Sequence, residues 1–584
     1  MSEGSASIPR PVPAGAAPTS FFPRLDAVVM LLGVATLLVL VVAPLVLLVL
    51  GSVTQEGAFT LEHFAGAFSR PAYYNALLNS LILGAGTAAL SVLVGAPMAW
   101  AVSRTTMPAK NLVRVLVAIS YITPPFLSAI AYVILLAPNS GVFNRFVVGL
   151  FGVERGPFSA FTMWTMIFVT ALHTFPYVFL LTSSALESVD ASLEESARIL
   201  GSGVWRNTVE ITLPMVTPAI LSGALLAFIN AISLFGSQAI LGLPGRVFTL
   251  PTRIQALFTY PPQYGLASAL SIVLVLLTVL ALYLQRGYLE RRSFVTVGGK
   301  GVRPELVEIG RWKWVALGLC GLVFLAAVLL PYLFLGLTSL SRTWALGLSA
   351  GNLTFENYRF VLFEYEVTRR AIMNSLLLAS AAATIAILLG SILAYVDLRG
   401  TVRGRKILDY LSLMPLGLPG IVLAVGILLV WLRLPFDVYG TLTILLIAYL
   451  TRFLPLAVRA ANAALRQVDP SLEETARITG ASWLQTFGSV TLPLTRSGLF
   501  AGWILVFVPA LQELSASILL FTGPTITLAV AVFNLYDNGL LERVAALAIV
   551  NTLIISLALL AAQWLARRGT TQVARTSEIG VGGG

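Results

Sequence analysis

Few side chains in this sequence could carry out covalent or metal chemistry. Cys320 is the only cysteine, so neither an intrachain disulfide nor a cysteine-rich metal cluster can form. The two histidines, His63 and His173, are far apart, and with one cysteine they do not make a metal site. The pair Gly299-Lys300 is not a phosphate-binding loop, because a glycine follows where Ser or Thr is required. We therefore predict no catalytic residue, no metal and no bound cofactor in this chain.

Two ionisable residues, Glu513 and Arg452, lie inside otherwise apolar segments. A charge at the centre of a membrane-spanning helix costs about 2.5–3.5 kcal/mol on insertion scales, so each residue is a candidate functional group. Pro509 precedes Glu513 and can free backbone carbonyls that line a cavity. Glu513 either contacts a solute or forms a structural or gating pair with Arg452, which could also reach the membrane surface. The candidate pathway residues are Gln512, Glu513, Ser515 and Arg452, together with Ser237 and Gln238 in a related segment.

A loop sequence rich in acidic and small residues occurs twice. Val189–Gly201 reads VDASLEESARILG and Val468–Gly480 reads VDPSLEETARITG, and each is followed by a TLP triplet. Each landmark recurs 279 residues later, as Glu474 does after Glu195. The Asp and Ser that open each copy can cap a helix whose first turn holds the glutamates, where the helix dipole favours negative charge. The glycine that closes each copy suits a helix end.

The segments that must position these residues are long and apolar. Of the 584 residues, 57% are hydrophobic and 11% are charged, which excludes both a water-soluble enzyme and a disordered chain. A spanning helix needs about 20 apolar residues. The sequence therefore predicts about twelve spans: 27–50, 77–102, 112–136, 161–183, 217–241, 264–285, 314–338, 372–396, 408–432, 439–458, 497–521 and 544–565.

The basic residues predict the orientation of these spans. If the N-terminus is cytoplasmic, 25 of the 37 Lys and Arg residues fall on inner segments, eleven fall on outer segments, and Arg452 lies within a span. This is a positive-inside bias, so we expect both termini in the cytoplasm. The net charge of +11 then needs no nucleic-acid partner to explain it.

The repeat predicts a parallel duplication of two six-helix halves. Upstream of the loops, Asn79-Ser80-Leu81 matches Asn374-Ser375-Leu376, and Gly95 matches Gly390. We expect a disordered N-terminus over 1–26, a first half over 27–285 with its loop at 190–214, and a basic linker over 286–313. A second half follows over 314–566 with its loop at 469–493, and a cytoplasmic tail covers 567–584.

These two loops resemble the EAA loop of binding-protein-dependent ABC importer permeases of the type I, or MetI-like, fold. In that family the loop forms a helix that docks on a cytoplasmic ATPase, and an external binding protein delivers the solute. The resemblance implies a non-enzymatic permease in a bacterial-type inner membrane, with two ATPase copies that bind ATP and magnesium and with a solute-binding protein. The ATPase-coupling residues that it implies are Glu194, Glu195, Ala197, Gly201, Leu213 and Pro214, and Glu473, Glu474, Ala476, Gly480, Leu492 and Pro493.

The segments around Phe507–Leu520 and Phe235–Ile254 are similar to the ferric-iron branch of these permeases. Fused permeases for thiamine, aminoethylphosphonate, polyamines and sulfate share the architecture, so these solutes stay open. An ion-coupled secondary transporter that uses Glu513 and Arg452 is the alternative of another class. The twin loops argue against it, because such a transporter has no use for two ATPase-docking helices.

Overall fold

The protein is an all-α polytopic membrane protein. The structure, a computed structural model, describes residues 23–189, 196–197, 199–291, 306–347, 349–400 and 404–580. Ten described helices are long and apolar enough to cross a membrane, or twelve if each of two bent helix pairs is one span. The fold class predicted from the sequence is confirmed.

The helices of the first half alternate between long spans and short connecting pieces. They are α1 Pro23–Leu37, α2 Ala43–Val53, α3 Glu62–Ser69, α4 Pro71–Arg104, α5 Lys110–Ile122, α6 Pro125–Leu136, α7 Val142–Phe151, α8 Met163–Ser188, α9 Val204–Asn207, α10 Leu213–Ser233, α11 Gly236–Gly242, α12 Leu250–Ala256 and α13 Tyr264–Arg291. A small hairpin of β1 Thr54–Gln55 and β2 Ala58–Phe59 follows α2. The π-helical turn Leu38–Val42 joins α1 to α2, and the π-helical turn Thr208–Thr212 joins α9 to α10.

The second half repeats this order. Its helices are α14 Trp312–Phe324, α15 Leu330–Ser339, α16 Glu356–Arg359, α17 Glu366–Arg399, α18 Lys406–Leu413, α19 Gly420–Trp431, α20 Leu442–Leu465, α21 Pro470–Ile478, α22 Trp483–Thr486, α23 Leu492–Leu511, α24 Ser517–Leu520, α25 Leu528–Asp537 and α26 Leu541–Gly580. Short 3₁₀ turns cover Trp344–Leu346, Ala350–Asn352, Met414–Gly417 and Gly523–Thr525, and π-helical turns cover Leu325–Leu329, Phe360–Glu364 and Phe487–Thr491.

Four predicted spans are interrupted. Those at 112–136 and 408–432 are helix pairs bent by 93° and 114°. The first bend lies at Pro124 and the second at Pro419, where proline lacks an N–H and drives the preceding residue away from helical geometry. The spans predicted at 217–241 and 497–521 end earlier, at Ser233 and Leu511. The segments after these two ends hold all the predicted pathway residues except Arg452, which lies on α20.

The first bent pair, α5–α6, connects opposite ends of the helix bundle. Arg114 near the start of α5 forms an ion pair with Glu187 at the end of α8. At the other end of the pair, the Leu136 carbonyl of α6 accepts a hydrogen bond from Ala160, just before α8 begins. Because α5–α6 joins both ends of α8, it crosses the bundle once. When the second bent pair, α18–α19, is also counted as one crossing, the described helices cross the bundle twelve times. Both copies of the repeated loop then lie at one end of the bundle.

Equivalent hydrogen bonds stabilise each half internally. In the first half, the Asn79 amide donates to the Phe248 carbonyl at 2.8 Å, and the Ser80 hydroxyl accepts from the Leu250 amide at 2.8 Å. The second half repeats both bonds, from Asn374 to Ile526 at 2.9 Å and from Leu528 to Ser375 at 2.7 Å. The Asn-Ser landmark therefore fixes the loop that returns from the short helix to the core.

Close helix packing explains the paired glycines. A Cβ atom on Gly95 would come within 2.8 Å of the Phe175 carbonyl oxygen, and one on Gly390 within 2.9 Å of the Ala457 carbonyl carbon. These contacts let α4 pack tightly on α8 and α17 on α20. Small residues at such crossings are typical of helix packing in membranes.

The two halves exchange their leading helices. Helix α1 packs on α17 and α18 of the second half, and α14 packs on α4 and α5 of the first half. Helix α1 begins at Pro23, four residues before the predicted span. In the predicted linker, Val307 hydrogen-bonds to Arg104 and Thr106 at the end of α4, and residues 292–305 lie outside the described part of the chain. Residues 23–26 belong to helix α1 and are not part of a disordered N-terminus as predicted. The segment from 567, predicted as a separate tail, is helical and continues α26 to Gly580.

Candidate functional site

The second copy of the repeated loop folds as the short helix α21, Pro470–Ile478. The Ser471 amide donates to the Asp469 carboxylate at 2.9 Å, which caps the helix as the sequence predicts. This backbone hydrogen bond holds the pKa of Asp469 below its ordinary value. Gly480, two residues after the helix ends, has a φ of +94°, which lies in the left-handed region. The Ala481 amide closes this end by donating to the Ala476 carbonyl.

The two adjacent glutamates of α21 lie in different environments. Glu473 is buried, with 4% exposure. It accepts hydrogen bonds from the hydroxyls of Thr491 at 3.0 Å and Tyr395 at 3.2 Å, and the Arg399 Nε lies 3.9 Å from it. Glu474 is exposed at the bundle surface. Glu473 therefore anchors α21 to the ends of α17 and α23, while Glu474 is free to face a partner.

Arg399 strengthens this anchor from α17. Its guanidinium also donates to the Val468 carbonyl at 2.6 Å, just before α21 begins. Sequence reasoning missed Tyr395, Arg399 and Thr491, although two of them carry a repeat signal. Arg399 lies 295 residues after Arg104, the same separation as Asn374 from Asn79, and Thr491 lies 279 residues after Thr212. The anchor thus ties together three segments that are distant in sequence.

The first copy of the loop is described in part. Glu194 and Glu195 lie outside the described residues. Ala197 accepts a hydrogen bond from the Ser202 amide at 2.9 Å, and Gly201 has a φ of +86°. The same two features end α21, where the Ala481 amide donates to the Ala476 carbonyl and Gly480 has a positive φ. The Leu-Pro pairs, Leu213-Pro214 and Leu492-Pro493, begin α10 and α23, where a proline near the helix start needs no intrahelical donor.

Both loops expose large apolar side chains at the same end of the bundle. Ile478 is 86% exposed, and its repeat counterpart Ile199 is exposed to the same degree. Other exposed apolar residues on these loops are Leu200, Trp205 and Leu472. Together with Glu474 they form what we call the docking surface. Clustered apolar exposure next to charged residues is typical of a protein interaction site.

Arg452 and Glu513 meet, as the sequence predicts. The Arg452 Nε donates to a Glu513 carboxylate oxygen at 2.8 Å, and the other oxygen accepts from the Ala516 amide at 2.8 Å. Glu513 lies in the turn between α23 and α24, not inside a span, because α23 ends at Leu511. The turn is held further by Tyr449, whose hydroxyl lies 2.7 Å from Ser517.

The remaining predicted pathway residues separate into two groups. The Gln512 amide donates to the Ile122 carbonyl of the first half at 3.1 Å, and Ser515 lies beside Gly420 and Arg452. Ser237 and Gln238 are buried on α11. Gln238 is tied to the Ala231 carbonyl and to the Thr249 hydroxyl within the first half. The structure therefore brings the second-half residues together, whereas Gln238 is hydrogen-bonded within the first half.

Comparisons with known proteins agree with this architecture. The family described as "Binding-protein-dependent transport system inner membrane component" matches residues 91–294 and 386–570, one match in each half.

Two relatives match across both halves of the chain. A putative ferric transport system permease protein, FbpB 1 of Haemophilus influenzae, is 28% identical over 77% of this chain and 70% of its own length. The ferric transport system permease protein FbpB of Actinobacillus pleuropneumoniae is 26% identical over 79% of this chain and 66% of its own length.

Other similarities cover about a third to a half of this chain. The molybdenum transport system permease protein ModB of Escherichia coli is 29% identical over 36% of this chain and 90% of its own length. Among solved structures, a bacterial alginate ABC transporter in complex with an alginate pentasaccharide-bound periplasmic protein has a TM-score of 0.38 at 21% identity. It covers 48% of this chain and 96% of the matched chain.

Proposed function

The chain belongs to the family of binding-protein-dependent transport system inner membrane components, and we propose that it is the fused permease subunit of an ABC importer for ferric iron. In this proposal it lies in a bacterial inner membrane with both termini in the cytoplasm. Two copies of a separate ATPase bind ATP and magnesium, and an extracytoplasmic binding protein delivers the solute. One chain supplies both docking loops, so no second permease subunit is needed.

The docking surface is the observation that carries this proposal. The two loops end with the same left-handed glycine, and both expose apolar side chains at one end of the bundle. Buried Glu473 fixes the second docking helix to α17 and α23, so a force on that helix is transmitted to two spans. Movement of an attached ATPase pair can then shift the two halves relative to each other and open the path alternately to each side.

The choice of ferric iron is supported by the extent of the similarity. The ferric permeases match 77% and 79% of this chain, through both halves, whereas the molybdenum permease is a shorter protein that matches 36% of this chain with 90% of its own length. Thiamine, aminoethylphosphonate, polyamines and sulfate are the alternative solutes. An ion-coupled secondary transporter is favoured only by the intramembrane pair of Arg452 and Glu513.

Reconstitution of the whole complex tests the proposal. The chain is placed in lipid vesicles with a candidate ABC ATPase subunit from the same organism and an iron-loaded binding protein outside. We expect iron uptake that requires ATP hydrolysis and the binding protein. Uptake driven by an ion gradient without ATP would instead establish the secondary transporter.

A matched pair of surface variants tests the docking surface. Ile478→Asp is expected to weaken ATPase association by at least about tenfold, because it puts a charge into an apolar contact. Leu346→Asp is the control, since Leu346 is 75% exposed but lies in the connection after α15, at the other end of the bundle. Equal ATPase association in both variants would contradict the assigned surface.

A further inference from the structure

A large apolar groove runs along α17 of the second half. Helix α1 of the first half and α23 of the second half both pack on α17, and a cavity of about 930 Å³ lies between these three helices. Binding pockets for small molecules have volumes of about 300–1,000 Å³, so this space is large enough to hold a ligand. The groove extends from Thr384 and Trp503 at one end to Tyr395 and Arg496 at the other.

The groove opens to the membrane. Its three helices belong to the candidate membrane spans Ala27–Val53, Glu366–Arg399 and Phe487–Leu511. Two of its lining side chains, Leu32 of α1 and Leu388 of α17, are 62% and 60% exposed on the surface of the bundle. At this depth a spanning bundle is surrounded by hydrocarbon chains and not by water. The occupant that this location favours is therefore a membrane lipid.

The length of the groove corresponds to one leaflet of a bilayer. Its wall on α17 runs from Thr384 to Val396, which is about 18 Å at about 1.5 Å of rise per residue. The hydrocarbon of one leaflet is about 15 Å thick, half of a core of about 30 Å. Trp503 lies at the mid-membrane end, where its indole N–H donates to the Thr384 hydroxyl at 3.0 Å. This hydrogen bond joins α17 to α23 and satisfies the indole donor, so a hydrocarbon chain can pack against this end.

A positive charge lies at the other end of the groove. Arg496 is the one charged side chain among the described residues that line it, and it is exposed. It lies about one turn after α23 begins at Leu492, at the end of the bundle that holds the docking loops. A long arginine side chain at this position can extend to the membrane surface, where a guanidinium binds phosphate oxygens through paired N–H donors. Basic pockets between spanning helices are typical of sites for anionic lipid headgroups.

The same end of the groove shares residues with the anchor of α21. Tyr395 lines the groove, and its hydroxyl donates to the buried Glu473 at 3.2 Å. The Phe487 ring also lines the groove and meets the Tyr395 ring edge to face, with centroids 6.0 Å apart. A lipid chain in the groove therefore packs against two rings that support the docking helix.

We infer that this groove binds one anionic phospholipid from the leaflet on the docking-loop side, and that the bound lipid stabilises α21. The phosphate lies on Arg496, and one acyl chain lies along α17 towards Trp503. In the proposed orientation this is the cytoplasmic leaflet. The inference goes beyond the proposed function, because it does not depend on which solute is transported.

Fluorescence quenching tests whether the lipid lies in the groove. The full-length chain is placed in phosphatidylcholine nanodiscs, one copy per disc, with increasing small fractions of phosphatidylglycerol brominated on its acyl chains. The signal of Trp503 is the difference between the wild type and Trp503→Phe. We expect its quenching to saturate, and brominated phosphatidylcholine to need a fraction at least about fivefold higher. Equal quenching by the two lipids would overturn the inference. Absence of Trp503 quenching by either lipid would overturn it too, because protein would then close the groove.

Arg496→Gln tests the headgroup contact. One basic residue near the membrane surface contributes about a fivefold factor in the binding of an anionic lipid, so half-maximal quenching should need about five times more phosphatidylglycerol. Arg496→Lys keeps the charge and should stay close to the wild type. Arg459→Gln is the matched control, since Arg459 is exposed near the docking-loop end of α20 and lies outside the groove. Equal quenching curves for R496Q and R459Q would refute the contact. If R496Q does not fold, the wild-type comparison of the two lipids decides.

Hydrogen exchange tests the effect on α21. Phosphatidylglycerol in the nanodisc is expected to slow exchange of the amides in 470–478 at least about threefold, because a ligand stabilises the state that it binds. Leu388→Trp puts a larger side chain into the groove and should lose this lipid dependence. Leu377→Trp is the control, since Leu377 is 60% exposed on the same helix but lies outside the groove. Exchange that ignores the lipid in the wild type, or equal lipid dependence in the two variants, would overturn the stabilising role.

Discussion

Replacing Glu473 with alanine tests whether the docking helix is fixed to the bundle by one buried carboxylate. The substitution removes the acceptor for the Thr491 and Tyr395 hydroxyls and the partner of Arg399. Glu474→Ala is the matched control one residue away, because Glu474 is exposed at the surface. The two variants delete the same chemical group from the same helix.

The size of the effect follows from the contacts. Each hydrogen bond to a charged group contributes about 1.5–3 kcal/mol, and breaking a buried pair on one side costs about 3–5 kcal/mol. Arg399 is partly exposed and water can compensate it, so we take the lower figure of about 3 kcal/mol for the opening of residues 470–478. Since about 1.4 kcal/mol is a factor of ten, this is roughly a hundredfold increase in local opening. An exposed substitution such as Glu474→Ala should stay within about 0.5 kcal/mol.

Hydrogen exchange of the chain in lipid nanodiscs measures this opening directly. Glu473→Ala should speed exchange of the amides in 470–478 about a hundredfold while the central spans keep their protection. In the complex it should also uncouple ATP hydrolysis from transport, whereas Glu474→Ala should weaken ATPase binding with normal exchange. Unchanged exchange in Glu473→Ala, or equal effects of the two variants, would refute the anchoring role.

Two further substitutions test the packing of the second half. Gly390→Ala should destabilise the chain by about 1–3 kcal/mol because its Cβ would press on the neighbouring helix backbone, whereas Gly318→Ala, with open space around it, should be neutral or stabilising in the same thermal unfolding measurement. Equal midpoints for the two would contradict the close crossing. Asn374→Ala should cost about 1–3 kcal/mol, because it leaves the carbonyls of Pro524 and Ile526 without their donor, and a midpoint equal to wild type would show that water replaces the amide.

Local signals explain why much of the docking loops could be predicted from sequence. A helix cap needs only the Asp469 carboxylate and the Ser471 amide two residues later, and a left-handed helix end needs only Gly480. The different environments of Glu473 and Glu474 could not be predicted in this way. They depend on Tyr395 and Thr491, which approach from helices distant in the chain.

The pathway residues show the same limit. The pairing of Arg452 with Glu513 was predictable, because two opposite charges in apolar segments have few other partners. The end of α23 before Glu513 was not predicted, because a proline and a few polar residues within an apolar stretch are compatible both with a continuous helix and with a turn.

By itself, the sequence determined the membrane class, the duplication and the two docking loops, because these depend on composition and on residues within one or two helical turns of each other. Only the tertiary structure decided the packing of each leading helix on the other half, the bends of the interrupted spans, and the burial of Glu513 beside a partly exposed Arg452. These features arise from contacts between segments hundreds of residues apart, where the choice of neighbour depends on how the whole bundle packs.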